Sequence, residues 1–262
     1  MTVEKLRPMA QDTRAMIESQ LEVDKRIADG HLTAWCARAY LELCKKVSDE
    51  AFPCTFGTLA LKKRQIVFAF IDSTEDATVL DGLVQAFTEY AAFIETEPIV
   101  SASMRPLAIL MPPPARWQSI EAYYHNSWRL LTAVGRRDPR PWPARIPAEP
   151  DSPGWSFCFG GVPFFINFKT PYHERRRSRC MRLGYLWLVQ ARDGFDSIAG
   201  DTDRGRKARG LIRQKLASYD GLPIYPELGH YGRPDNREWK QYFVPETNEL
   251  ITTACPFSHS ER

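Results

Sequence analysis

The sequence predicts an α+β fold: a mixed, largely antiparallel sheet with flanking helices in a single domain. Three observations predict it. Hairpin signals lie near residues 55–71 and 155–168, helical apolar stripes lie between them, and no regular strand–helix–strand rhythm runs along the chain. The 262 residues, 44% hydrophobic and 26% charged, suffice for a sizeable core.

The N-terminal segment, about residues 1–50, reads as helical. Residues 10–29 read as a polar helix. Over residues 32–50, Leu32, Trp35, Cys36, Ala39, Tyr40, Leu43, Cys44 and Val47 recur at three and four and make one apolar stripe. Pro53 ends that segment. Residues 55–61 are β-compatible, 62–65 make a polar turn, and 66–71 form a strongly apolar strand. Ser73 offers an N-cap to a helix that buries Val79, Leu83, Phe87, Tyr90 and Ile94. Residues 107–111 are a short buried strand. Ser119 opens another helix, with Ile120, Tyr124, Trp128, Leu131 and Val134 facing inward. Six prolines between 139 and 153 mark a long extended loop. Residues 155–159 and 162–168 then form a hairpin around Gly160-Gly161. Residues 183–190 are a strand, 192–196 a turn, 204–219 a basic helix stopped by Gly221, and 238–244 an alternating strand.

Composition excludes several classes. A net charge of +3 is too mild to imply a nucleic-acid partner. No stretch approaches the roughly 18–20 apolar residues of a membrane span. Residues 1–20 carry six charged side chains and no apolar signal region, so a cytoplasmic location is expected. The six cysteines never pair as C-x-x-C, which argues against a zinc ribbon. Phosphate-loop, dinucleotide and G-x-S-x-G motifs are missing, and the five histidines never pair at metal-ligand spacing on a helix.

The densest chemical segment is Thr170-Pro171-Tyr172-His173, followed by Arg175, Arg176, Arg177 and Arg179. It ends an aromatic strand that contains Phe164 and Phe165. One reading is a solvated basic loop, or a module that binds an anionic ligand. The other joins an apolar wall, a positioned imidazole and cations for two propionates, the set that heme needs. Phe52-Pro53-Cys54-Thr55-Phe56-Gly57 offers a rival donor, a thiol among aromatics at the start of a strand. Its bland alternative is a buried packing thiol. Asp196, in an Asp-Gly turn segment, and Glu238 are carboxylates that can hold a guanidinium.

Taken in order, these pieces resemble the YqcI/YcgG family. To those named above are added Phe159-Gly160-Gly161-Val162-Pro163, Arg192-Asp193-Gly194-Phe195-Asp196, Tyr231-Gly232 with Asn236-Arg237-Glu238-Trp239-Lys240-Gln241-Tyr242, and Cys255-Pro256-Phe257. The resemblance implies one heme-binding domain over residues 1–262. It implies heme b and a monooxygenase that N-hydroxylates a guanidine, L-arginine to Nω-hydroxy-L-arginine, in antibiotic biosynthesis of the D-cycloserine type. His173 is then the expected iron ligand, with Cys54 as alternative. Arg176, Arg177 and Arg179 are expected on the propionates, Phe164 on the apolar wall, and Glu238 and Asp196 on the substrate. Oxygen and an external electron donor, a reductase or peroxide, are implied as partners. A heme carrier or sensor without turnover is the second expectation.

Overall fold

The computed structural model describes residues 15–98, 105–200 and 202–257. Its centre is a six-stranded sheet. In chain order the strands are β1 (Ile17–Ser19), β2 (Val67–Phe70), β3 (Leu107–Met111), β4 (Phe157–Phe159), β5 (Val162–Lys169) and β6 (Tyr185–Ala191), arranged β1-β2-β3-β6-β5-β4. Only β2 and β3 run parallel. A parallel pair needs a crossover, and the long α4 (Asp76–Thr96) supplies it.

Helices cover both faces. α4 and α5 (Ile120–Arg136) pack on one, where Phe87 and Trp128 meet Phe164, Phe168 and Trp187 in the larger core. The rings of Phe168 and Trp187 lie edge to face, 4.9 Å apart. On the other face α1 (Gln20–Ala28), α2 (Ala34–Val47) and α3 (Thr55–Lys62) bring Val23, Tyr40, Leu43 and Leu61 against Phe68, Leu110 and Leu186. Each such side chain, fully buried, contributes about 1.5–3 kcal/mol. After β6 the chain forms α6 (Arg192–Ala199) and α7 (Asp203–Asp220). Ser119 caps α5 as its position predicts, and Gly221, at φ +65°, stops α7 in the left-handed conformation. No helix among the described residues is long and apolar enough to cross a membrane.

The α+β class and the mostly antiparallel sheet agree with expectation, but several elements differ. Residues 55–61 are not a strand. Cys54 caps them, its Sγ accepting from the Gly57 N–H at 3.3 Å, and they wind into α3. β2 therefore pairs with β1 and β3 instead of closing a hairpin. Residues 17–28 split into β1 and α1 because Ser19 and Glu22 make a capping box; residues 10–14 of the expected helix lie outside the described chain. Glu75, not Ser73, is the N-cap of α4. The expected turn at 192–196 is the first part of α6. Residues 238–241 form a 3-10 turn, and the alternation there reflects one ladder-like bond, Phe168 N–H to the Tyr242 carbonyl, beyond the end of β4.

Candidate functional site

A cleft opens beside the smaller core, between the start of α3, the outer half of β5 and α7, with an empty volume of about 1060 Å³ including its mouth. Strand alternation decides what β5 contributes. Phe164, Ile166 and Phe168 point into the larger core, while Phe165, Asn167 and Lys169 line the cleft. α7 contributes Arg209, Ile212, Arg213 and Leu216, one face at helical spacing. The Arg213 guanidinium donates to the Gly229 carbonyl at 2.7 Å, which ties α7 to the loop bearing His230 and Tyr231, two further lining residues.

Glu238 is the cleft's one carboxylate among the described residues. It is 1% exposed and forms an ion pair with Arg192 at 2.9 Å. Its other oxygen accepts from Ser156 Oγ at 2.6 Å and lies 3.1 Å from the Tyr242 hydroxyl. Burial pushes its pKa up, while Arg192, Ser156 and Tyr242 pull it down. Arg192 also pairs with Asp196 at 2.6 Å and lies over the Tyr231 ring, 3.9 Å from its centroid. Glu238 thus already holds a guanidinium beside an aromatic face.

Cys54 lines the same cleft. Burial raises its pKa, opposed by the N–H groups of Gly57 and Phe56 and by the charge of Lys169. The start of a helix is a setting that favours thiolate.

The sequence-predicted residues divide sharply. Cys54, Arg179 and Glu238 come together in the cleft. Asp196 stands one step behind, on Arg192. His173 is elsewhere: it is fully buried, with Nε2 3.0 Å from the Val244 carbonyl and Nδ1 3.0 Å from Thr170 Oγ1. Both ring nitrogens are engaged, so the imidazole does not fit an iron ligand. Arg176 bonds the carbonyls of Pro245 and Thr247 and the Asn248 side chain, under the chain's C-terminal part. Arg177 lies over Tyr219, 4.6 Å from its ring centroid, and bonds the Tyr219 carbonyl. Neither lines the cleft. Phe164 faces the larger core, and its neighbour Phe165 lines the cleft.

Sequence reasoning assigned no role to Asn167, Lys169, Arg209, Arg213 and His230, and quoted Arg192 only within a family segment. A signal existed for two groups of them: the period of two along 165–169 and the three-four spacing along 209–216. His230 had none, because tertiary contacts alone bring it in.

The family model described as the YqcI/YcgG family matches residues 43–258. The chain is 37% identical over 233 residues to the uncharacterized protein YcgG of Bacillus subtilis (strain 168), covering 87% of this chain and 90% of that one. It is 32% identical over 242 residues to DcsA of Streptomyces lavendulae, a proposed N(omega)-hydroxy-L-arginine synthase, covering 92% and 90%. A third relative, the uncharacterized YqcI of Bacillus subtilis (strain 168), is 33% identical over 250 residues, covering 94% of each chain. No solved structure matches.

Proposed function

The chain belongs to the YqcI/YcgG family, and from that premise we propose that it is a heme-dependent monooxygenase that N-hydroxylates a guanidine, L-arginine to Nω-hydroxy-L-arginine. The likeness to DcsA supports the reaction. The observation that carries the reading here is the meeting of Cys54 and Glu238 in one cleft. A guanidinium nitrogen is a poor nucleophile, and bound heme supplies the oxygen activation it requires.

The donor set fits heme with one change from the sequence expectation: Cys54, not His173, is the ligand. A thiol at a helix start is a soft donor that iron accepts as thiolate. Phe165, Ile212 and Leu216 give an apolar wall, and Arg209 and Arg213 supply cations for propionates. Glu238 orients the substrate guanidinium, with Arg192 giving way or sharing the carboxylate. Oxygen and an external reductant, or peroxide, complete the reaction. The antibiotic context, of D-cycloserine type, rests on family likeness.

A second reading is a heme carrier or sensor, favoured by one observation: His230 lines the cleft with Cys54, so two donors face one space. One experiment separates the readings. Purified protein is assayed for heme by pyridine hemochrome, then supplied with L-arginine, oxygen and dithionite-free reductant, or with peroxide, and the products are weighed by mass spectrometry. Heme with an arginine product one oxygen heavier is expected. Heme without product favours the carrier, and failure to take up heme on reconstitution overturns both.

A further inference from the structure

Lys169 and Arg179 are two buried cations on one cleft, and neither forms an ion pair among the described residues. They are 6% and 7% exposed. A backbone bond from the Thr170 N–H to the Arg179 carbonyl, 3.1 Å, fixes them side by side. Lys169 Nζ donates to the Ser178 carbonyl at 2.6 Å. The Arg179 guanidinium makes only long bonds, 3.3 and 3.4 Å, to the carbonyls of Tyr242 and Gln241. The nearby acid, Asp220, is spent on Ser178, accepting from its N–H at 2.7 Å and its hydroxyl at 2.8 Å. Burying a charge without an opposite charge is costly, and an ammonium has three protons to place. Burial, Arg179 and Lys46 accordingly pull the Lys169 pKa down to about 7, with Cys54 and Asp220 opposing.

Two residues back on the same face of β5, Asn167 Oδ1 is buried without a hydrogen-bond partner. It is an acceptor waiting for a donor. The step from Asn167 to Lys169 is about 6.8 Å along an antiparallel strand.

We propose that Lys169 and Arg179 form a seat for a ligand carboxylate, with Asn167 Oδ1 receiving an N–H of the same ligand, so that the cleft selects a guanidine that is also an α-amino acid. This rests on the hydroxylase reading for the guanidine, but not for the carboxylate. A carboxylate reaching the seat can belong to the amino acid or to a heme propionate, and the test separates the two.

Binding of L-arginine and of agmatine, which lacks the carboxylate, is measured by calorimetry on the full heme-loaded chain, and heme loss is followed by transfer to apomyoglobin. Wild-type protein is expected to prefer L-arginine at least tenfold. Lys169→Met and Arg179→Gln should erase that preference, while Lys169→Arg, which keeps the charge, should preserve it and control for folding. If instead Lys169→Met leaves the preference and speeds heme loss, the seat stands, its occupant is a propionate, and the amino-acid selection is overturned. If preference is absent or unmoved and heme loss is unmoved, the seat itself is overturned. Because calorimetry reads binding, a wild type that prefers L-arginine yet makes no hydroxylated product sinks the hydroxylase reading and leaves the seat standing.

Discussion

His173 and Val244 are joined across 71 residues of chain by a 3.0 Å hydrogen bond between an imidazole nitrogen and a backbone carbonyl. Thr170 Oγ1 engages the other nitrogen at the end of β5. The ring is therefore a clamp between β5 and the chain's C-terminal part. Burial, with Arg179, Lys169 and Arg176 adding to it, lowers its pKa to about 3, and the Val244 bond opposes that.

The clamp gives a pH prediction. The folded pKa lies below the ordinary histidine value of about 6.5, so the unfolded chain binds the proton more readily. The stability contributed by the neutral ring is complete above about pH 6.5 and is lost as pH falls toward 3. Urea midpoints of wild type and His173→Gln, taken from pH 7 to 4, test it. The variant should be less stable at pH 7 by about 1–3 kcal/mol. Below pH 6 the wild type should lose up to about 1.4 kcal/mol per pH unit more than the variant. Parallel pH curves would refute the clamp.

Cys54→Ser separates capping from iron binding. Serine is a strong N-cap residue, so α3 should keep its start and the melting temperature should hold or rise slightly. The soft donor is gone, however. Ferrous–CO spectra should show a strongly red-shifted, thiolate-type band in wild type and its loss in Cys54→Ser. A wild-type spectrum of imidazole type, unchanged by Cys54→Ser, would return the iron to a histidine, with His230 the one that lines the cleft.

Much of the sheet was legible in the sequence because β3, β5 and β6 are apolar runs bounded by turns or prolines. α3 was not, since residues 55–61 are too short a run to show whether their period is two or 3.6. At the site, Glu238 and Cys54 stood out by residue type, and both line the cleft. His173 stood out equally, and its position beside Pro171 is real, but burial and the distant Val244 carbonyl decide its role. No local pattern encodes a contact 71 residues away. Phe164 and Phe165 are one residue apart, which on a strand puts them on opposite faces, and only Phe165 lines the cleft.

Arg176→Ala with Arg177→Ala tests the discarded propionate assignment. Arg176 holds three groups between Pro245 and Asn248, and Arg177 covers Tyr219. Heme content and heme off-rate should match wild type. Limited proteolysis should instead cut faster after Val244, and stability should fall by about 1–3 kcal/mol. Rapid heme loss with unchanged proteolysis would restore the arginines to the cofactor.

Glu238→Gln separates substrate binding from support of the fold. Removing one partner of a buried pair costs about 3–5 kcal/mol, because the other charge is left uncompensated. Here Asp196 still faces Arg192, so the loss should fall near the lower end. Adding Arg192→Met removes the stranded guanidinium and should recover part of that stability. L-Arginine affinity should behave differently. If Glu238 holds the substrate guanidinium, binding falls tenfold or more in Glu238→Gln and stays low in the double variant. Chemical denaturation and calorimetry on the same preparations give both quantities. Should affinity recover together with stability in the double variant, Glu238 serves only to bury Arg192, and the guanidinium is held by another group.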